Sequence, residues 1–247
     1  MSGWGPDLEG VTWRFDLFGI PVRVHVAFWI CALLLGLNSN TLTELVAWVF
    51  AMFVAILVHE LGHALMAQRY GFRPEILLYG LGGLTDYSGG AGGLKPLGSW
   101  DRIYLALAGP LAGIALAIGV AVLAAGLGAQ IQIARIFGVI PVPLIATPIG
   151  SQPLTSFLQS IIWIGWVWGL INLMPVYPLD GGHIAREIML WLNPQRGLEQ
   201  SLVLSLYCAL FLACLGFFAH GSLFMLLLFG SLAYNSYALL RGMSSYF

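Results

Sequence analysis

Three polar residues that can form a metal site stand together in an apolar stretch of the chain. Residues 55–67 read AILVHELGHALMA, and His59, Glu60 and His63 are the only titratable side chains among them. On a helix, residues four positions apart lie on one face, so both imidazoles can bind one metal ion. Glu60 is offset by about 100° from His59 and can act as a general base beside that ion. Imidazole and carboxylate ligands suit zinc, so the pattern predicts a zinc-dependent hydrolytic site.

An accidental match is the alternative reading of this pattern. A carboxylate at membrane depth costs about 2.5–3.5 kcal/mol or more unless it has a partner. Three polar residues crowded at that depth therefore need a shared reason, and a metal ion supplies one.

The composition indicates that lipid surrounds most of the chain. Of its 247 residues, 59% are hydrophobic and 9% are charged, with a mean hydropathy of +0.88. Soluble domains carry about 25% charged residues, so this chain has too few charges for a soluble surface. A net charge of −1 without a basic cluster gives no indication of nucleic-acid binding.

The apolar stretches predict the fold class, an all-α polytopic membrane protein with about six transmembrane helices. The chain is expected to form a single transmembrane domain over residues 1–247, which contains the predicted metal site. Pro175 and Pro178 interrupt the fourth stretch, so that span is predicted to be broken. The predicted spans are residues 24–37, 45–68, 103–127, 154–192, 202–218 and 222–240.

Three other segments have patterns of their own. Residues 1–22 predict an N-terminal cytoplasmic segment with a short strand at 11–22. Residues 71–99 predict a β-hairpin at the membrane interface, with a glycine-rich centre. Residues 129–153 predict an interfacial loop with a short helix.

The positive charges predict the orientation in the membrane. All but one of the ten Lys and Arg residues fall on the same side of the predicted spans, and the exception is Arg135. The positive-inside rule then places both termini in the cytoplasm, most simply of a prokaryotic cell membrane.

A catalytic zinc ion usually has three protein ligands, so a third must come from another element. His25 and His220 lie at span ends, and His220 is at the wrong depth. Asp180 lies in NLMPVYPLDGGH (172–183), near the cytoplasmic end of the fourth span, and matches the depth of His59 and His63. The alternative role for Asp180 is to cap the helix that follows.

Two more polar residues of this broken span are candidate substrate ligands. Asn172 can donate a hydrogen bond to the substrate carbonyl or to the oxyanion formed on attack, but an interhelical hydrogen bond is at least as common. His183 can hydrogen-bond near the metal or the substrate, or it can be an ordinary interfacial histidine.

Together these motifs resemble those of the site-2 protease family, zinc metalloproteases that cut within membranes. The resemblance is carried by VHELGH (58–63) in one span, ALAGPLAG (106–113) in the next and NLMPVYPLDGGH in the one after. It implies that His59, His63 and Asp180 bind one Zn²⁺ ion and that Glu60 is the catalytic base. It also implies that a membrane-spanning protein substrate is cleaved in its helical segment, which releases a regulatory domain.

The resemblance extends to GLGGLTDY (80–87), which is similar to the family's membrane-associated β-hairpin. It implies that Gly82 and Gly83 lie where an unwound substrate strand could pair. Many members carry an inserted PDZ domain or a CBS domain after the last span, and this sequence shows neither. The expectation is a minimal member, or part of a longer chain, that is controlled by substrate supply, by a prior cut or by a regulatory membrane protein.

Two other classes of function remain open. The same ligands could carry a metal ion through a transporter, although transporters usually have paired broken helices from a repeat. A non-catalytic relative could bind membrane segments without cutting them, although Glu60 would then have no role.

Overall fold

A computed structural model describes residues 12–80, 82–87, 97–136 and 140–244. These residues are mostly helical, as the composition predicts, and a small part of the chain forms strands. The helices are α1 (Val26–Leu35), α2 (Leu42–Arg69), α3 (Ser99–Gly126), α4 (Gln152–Asn172), α5 (Asp180–Leu192), α6 (Gly197–His220) and α7 (Leu223–Ser244). The strands are β1 (Thr12–Leu17), β2 (Ile20–His25), β3 (Glu75–Tyr79), β4 (Gly82–Asp86), β5 (Ile131–Ile136) and β6 (Ile140–Ile145).

Five of the described helices, α2, α3, α4, α6 and α7, are long and apolar enough to cross a membrane. The predicted first span contains only the 10-residue helix α1, which is about half the length that a bilayer core requires. The predicted number of about six spans is therefore not confirmed. The break in the fourth predicted span is present, because α4 ends at Asn172 and α5 begins at Asp180.

The chain divides into two compact units, and the first comprises residues 1–95 and 108–169. Its sheet has the order β1-β2-β3-β4, in which only β2 and β3 run parallel. The sequence predicted a single strand at 11–22, and the structure instead has the hairpin β1–β2. Phe18 and Gly19 form its turn with φ of 54° and 73°, which is the backbone that a tight two-residue hairpin turn requires.

The hairpin predicted over residues 71–99 is present as β3 and β4, while residues 88–96 lie outside the described part of the chain. The interfacial loop with a short helix that was predicted at 129–153 is wrong, because β5 and β6 form an antiparallel pair there. Alternating β-branched residues favour these strands. Their prolines, Pro141 and Pro143, are tolerated because each strand of a two-stranded sheet has an unpaired edge.

Small residues bring the helices of the first unit close together. A Cβ on Gly62 of α2 would lie 2.8 Å from the Cβ of Ala112, and one on Gly165 of α4 would lie 3.3 Å from the Cβ of Ala117. Both alanines belong to α3. Ala112 lies in the run ALAGPLAG, whose small side chains allow α3 to approach α2 closely.

The second unit comprises residues 96–107 and 170–247, which include α5, α6 and α7. Its core contains Val176, Ala209 and Ala233, all of them buried. Gly221 joins α6 to α7 with a φ of 62°, a left-handed conformation that glycine adopts without strain.

Candidate active site

The paired imidazoles predicted from VHELGH face each other inside the first unit. His59 and His63 are 4% and 7% exposed, and their Nε2 atoms are 3.2 Å apart. Two nitrogens that bind one tetrahedral zinc ion at about 2.0–2.1 Å must be separated by about 3.3–3.4 Å. The observed separation therefore fits two ligands of one ion.

Asp180 is the first residue of α5, directly after the irregular segment 173–179. Asp180 belongs to the second unit, and together with His59 and His63 it makes a group of residue types that could hold a metal ion. Within the described ranges this is the one group of three or more His, Cys, Asp or Glu residues that could hold a metal ion. Two imidazoles and a carboxylate form a donor set that catalytic zinc sites use.

Glu60 is buried beside the imidazoles and has a defined partner on the sheet. Glu60 is only 5% exposed. The Thr85 hydroxyl of β4 donates to Glu60 Oε2 at 2.7 Å and also lies 3.2 Å from the Glu60 carbonyl oxygen. A hydrogen bond to a carboxylate is among the stronger ones, so Thr85 fixes the side chain of Glu60 and offsets part of the cost of its burial.

Two glycines leave the space that the functional side chains occupy. A Cβ on Gly83 of β4 would lie 2.6 Å from Cδ and Oε1 of Glu60. A Cβ on Gly109 of α3 would lie 2.6 Å from Cδ2 and Cε1 of His63. Real side chains essentially never make such contacts, so any other residue at position 83 or 109 must displace the neighbouring side chain.

The remaining predicted site residues lie at known places, but their roles stay predictions. Gly82 begins β4, where an added Cβ would have only an ordinary contact with Trp168 at 3.6 Å. Asn172 is the last residue of α4 and is 8% exposed. His183 is in the first turn of α5, and its ring packs edge-on against that of Tyr177.

Sequence reasoning did not identify Thr85, and it assigned no role at the site to Gly109. Nothing in the pattern LTDY distinguishes a threonine that binds a carboxylate from one that fills a strand. The role of Gly109 in ALAGPLAG could have been recognised only if α3 were known to approach His63.

Comparison with known proteins gives a consistent result. The model of peptidase family M50 matches residues 47–215. A zinc metalloprotease of Methanocaldococcus jannaschii is 27% identical over 179 residues, which cover 71% of this chain and 44% of that protein. A protein of Synechocystis sp. is 27% identical over 191 residues, covering 70% of this chain and 43% of its own length. The chain thus spans less than half the length of these curated relatives.

A solved structure extends the likeness to the fold. The site-2 protease from Methanocaldococcus jannaschii has a TM-score of 0.58 with this structure, at 20% sequence identity. The likeness covers 94% of this chain and 96% of that one. The two proteins therefore share a fold.

Proposed function

The chain belongs to peptidase family M50, and we propose that it is an intramembrane zinc endopeptidase. Its substrate would be a membrane-anchored regulatory protein, cut within or beside its transmembrane segment. The observation that carries this proposal is the buried group of His59, Glu60 and His63 in an apolar helix, in which the Nε2 atoms of the two imidazoles are 3.2 Å apart.

The residues present fit one zinc ion, held by His59, His63 and Asp180. Such an ion supplies a Lewis acid that polarises the scissile carbonyl and makes a water molecule more acidic. The 3.2 Å between the two Nε2 atoms supports this assignment, because the imidazoles already have the spacing that shared ligation requires.

Glu60 moves the protons in the proposed reaction. It takes a proton from the attacking water and then gives it to the leaving amine. Thr85 holds Oε2 of Glu60, which leaves Oε1 for this transfer. The carboxylate lies in a buried site, where a fixed base does not need to reorganise before it reacts.

The substrate must unwind locally before this chemistry, because the carbonyl of an intact helix is hydrogen-bonded and shielded. The edge position of β4 supports pairing with an unwound substrate strand. Gly82 and Gly83 would let that strand approach closely, and Asn172 and His183 would hydrogen-bond it near the metal. With Arg14 and Arg23 before the first predicted span and Arg241 after the last, both termini are proposed to be cytoplasmic in a prokaryotic cell membrane.

Control by a further membrane protein also belongs to the proposal. A protease of this kind in the lipid bilayer meets many membrane segments, so substrate supply, a prior cut or a regulatory membrane protein would limit its action. Co-purification of such a regulator with the full-length protein, followed by a change in cleavage rate on its removal, would test this part.

The purified protein, incubated with a single-span candidate substrate with and without a chelator, tests the function directly. Cleavage should require zinc and should fall at least about 10²-fold in Glu60→Gln, because general-base catalysis is lost. Glu60→Gln should keep its zinc. Glu44→Gln, which changes a glutamate at the start of the same helix, is the matched control and should cleave like the wild type.

Full proteolysis by Glu60→Gln would exclude Glu60 as the base. Zinc uptake into sealed vesicles without any proteolysis would instead favour a transporter. Tight binding of the substrate by the zinc-loaded wild type without cleavage would favour a non-catalytic relative.

A further inference from the structure

The position of Asp180 depends on the irregular segment 173–179 that joins α4 to α5. This segment has turns and bends in place of a helix, so its backbone groups lack the regular partners of a helix. In an apolar environment each backbone N–H needs a partner within the protein. The partners of this segment therefore decide where α5, and with it Asp180, begins.

One such partner comes from α6. The backbone N–H of Tyr177, three residues before Asp180, donates to Ser205 Oγ at 2.8 Å. Ser205 Oγ in turn lies 2.8 Å from Ser236 Oγ of α7, and the hydroxyl of either serine can donate. The two serines are 1% and 0% exposed, so water does not compete for these hydrogen bonds.

The same faces of α6 and α7 hold the segment at a second point. Val176 is fully buried and packs in a cluster with Ala209 and Ala233. Ala209 follows Ser205 by one helical turn, and Ala233 precedes Ser236 by three residues, so each helix presents a small residue and a hydroxyl on one face. The segment is thus attached by an apolar contact at Val176 and by a hydrogen bond at the next residue.

We infer that Ser205, supported by Ser236, is a positioning residue that holds Asp180 where it can bind the metal ion. This inference rests on the proposed function. Ser205 does not touch the metal or the substrate, and it acts through the backbone of Tyr177. A pair of serines that only joined two membrane helices would need no bond to this backbone.

A matched pair of variants separates this role from simple helix packing. Ser205→Ala removes the acceptor of the Tyr177 N–H. Ser201→Ala removes the hydroxyl of another buried serine one turn earlier on α6, where Ser201 Oγ donates to the carbonyl of Leu198 in its own helix. Both variants lose one buried oxygen, but only the first loses the link to the segment.

The first measurement is zinc affinity, determined by titration of each purified full-length protein against a chromophoric chelator. Residues that orient metal ligands typically contribute about 10–100-fold to affinity. We therefore expect Ser205→Ala to bind zinc at least about 10-fold more weakly than Ser201→Ala and the wild type. The zinc affinity of Ser236→Ala should lie between those of Ser205→Ala and the wild type.

The second measurement is hydrogen exchange of the apo proteins. The Tyr177 amide should exchange faster in Ser205→Ala than in Ser201→Ala, while amides in the middle of α2 should be unchanged. This readout depends on neither zinc nor catalysis.

Equal zinc affinity of Ser205→Ala and Ser201→Ala would overturn the inference. If Ser205→Ala does not fold, Ser236→Ala decides, and wild-type affinity together with wild-type exchange at Tyr177 would overturn it. Failure of the proposed function looks different, because the wild type itself would then bind no zinc or cleave no substrate.

Discussion

Gly109→Ala should abolish tight zinc binding although residue 109 has no group that could bind a metal. The added methyl group would contact the His63 ring, with Cδ2 and Cε1 at 2.6 Å. An ordinary contact needs at least 3.4 Å, and Nε2 lies closer still to the added carbon, so the ring must recede by more than about 0.8 Å. Gly109 lies inside α3, where the helical backbone cannot easily move away, so the imidazole must move.

The size of that shift sets the expected loss of affinity. Metal–ligand distances in functional sites stay within about 0.2 Å of their ideal values, so a displacement of 0.8 Å removes His63 as a ligand. Loss of a direct ligand should exceed the effect of losing a group that only orients one, which reaches about 100-fold. We therefore expect zinc affinity to fall by more than about 100-fold, or about 2.8 kcal/mol.

Zinc titration of the purified protein against a competing chelator measures this loss. Gly119→Ala is the matched control, because it is in the same helix and a Cβ there would have no neighbour within 4 Å. It should bind zinc like the wild type. Wild-type affinity in a folded Gly109→Ala protein would refute the close approach of α3 to His63.

Two further substitutions separate the base from the metal. Gly83→Ala should displace the Glu60 carboxylate and lower kcat at least about 10²-fold while zinc stays bound. Gly119→Ala, whose added Cβ has no neighbour within 4 Å, is the control and should retain activity. Equal kcat in the two variants would contradict this. Thr85→Val removes the hydroxyl that holds Glu60, a bond of about 1.5–3 kcal/mol, and should lower kcat about tenfold or more with zinc affinity unchanged. A wild-type kcat for Thr85→Val in a steady-state cleavage assay would show that Glu60 needs no such partner.

Much of the helical architecture could be predicted from the sequence because lipid imposes a strict condition. A backbone that crosses a bilayer must satisfy its own hydrogen bonds, so long apolar stretches become helices. The break before Asp180 was equally predictable, since Pro175 and Pro178 cannot continue a helix. The spacing of His59 and His63 was readable because it lies within a single helix.

The strands were harder to predict because their pairing depends on partners elsewhere in the chain. The segment 129–153 contains four prolines, a composition typical of a loop. Two of them, Pro141 and Pro143, lie in β6, where proline is tolerated because each strand of a two-stranded sheet has an unpaired edge. The hairpin at the N-terminus depends on Phe18, which adopts a positive φ that sequence patterns seldom indicate for this residue type.

The supporting residues of the site could not be found from spacing alone. Thr85 lies 25 positions from Glu60, and Ser205 lies 28 positions from Tyr177. Contacts of this kind depend on how separate elements pack, and neither hydropathy nor helical periodicity contains that information. A threonine in a strand and a serine in an apolar helix have many possible roles, and only their neighbours in the folded chain distinguish them.

The central claim is that one zinc ion is bound by His59, His63 and Asp180 together. An anomalous difference map, recorded at the zinc absorption edge from crystals of the zinc-loaded Glu60→Gln protein, tests it most directly. The account predicts one peak at about 2.0–2.2 Å from Nε2 of each histidine and from a carboxylate oxygen of Asp180. A peak at another location, or one that Asp180 does not reach, would contradict it.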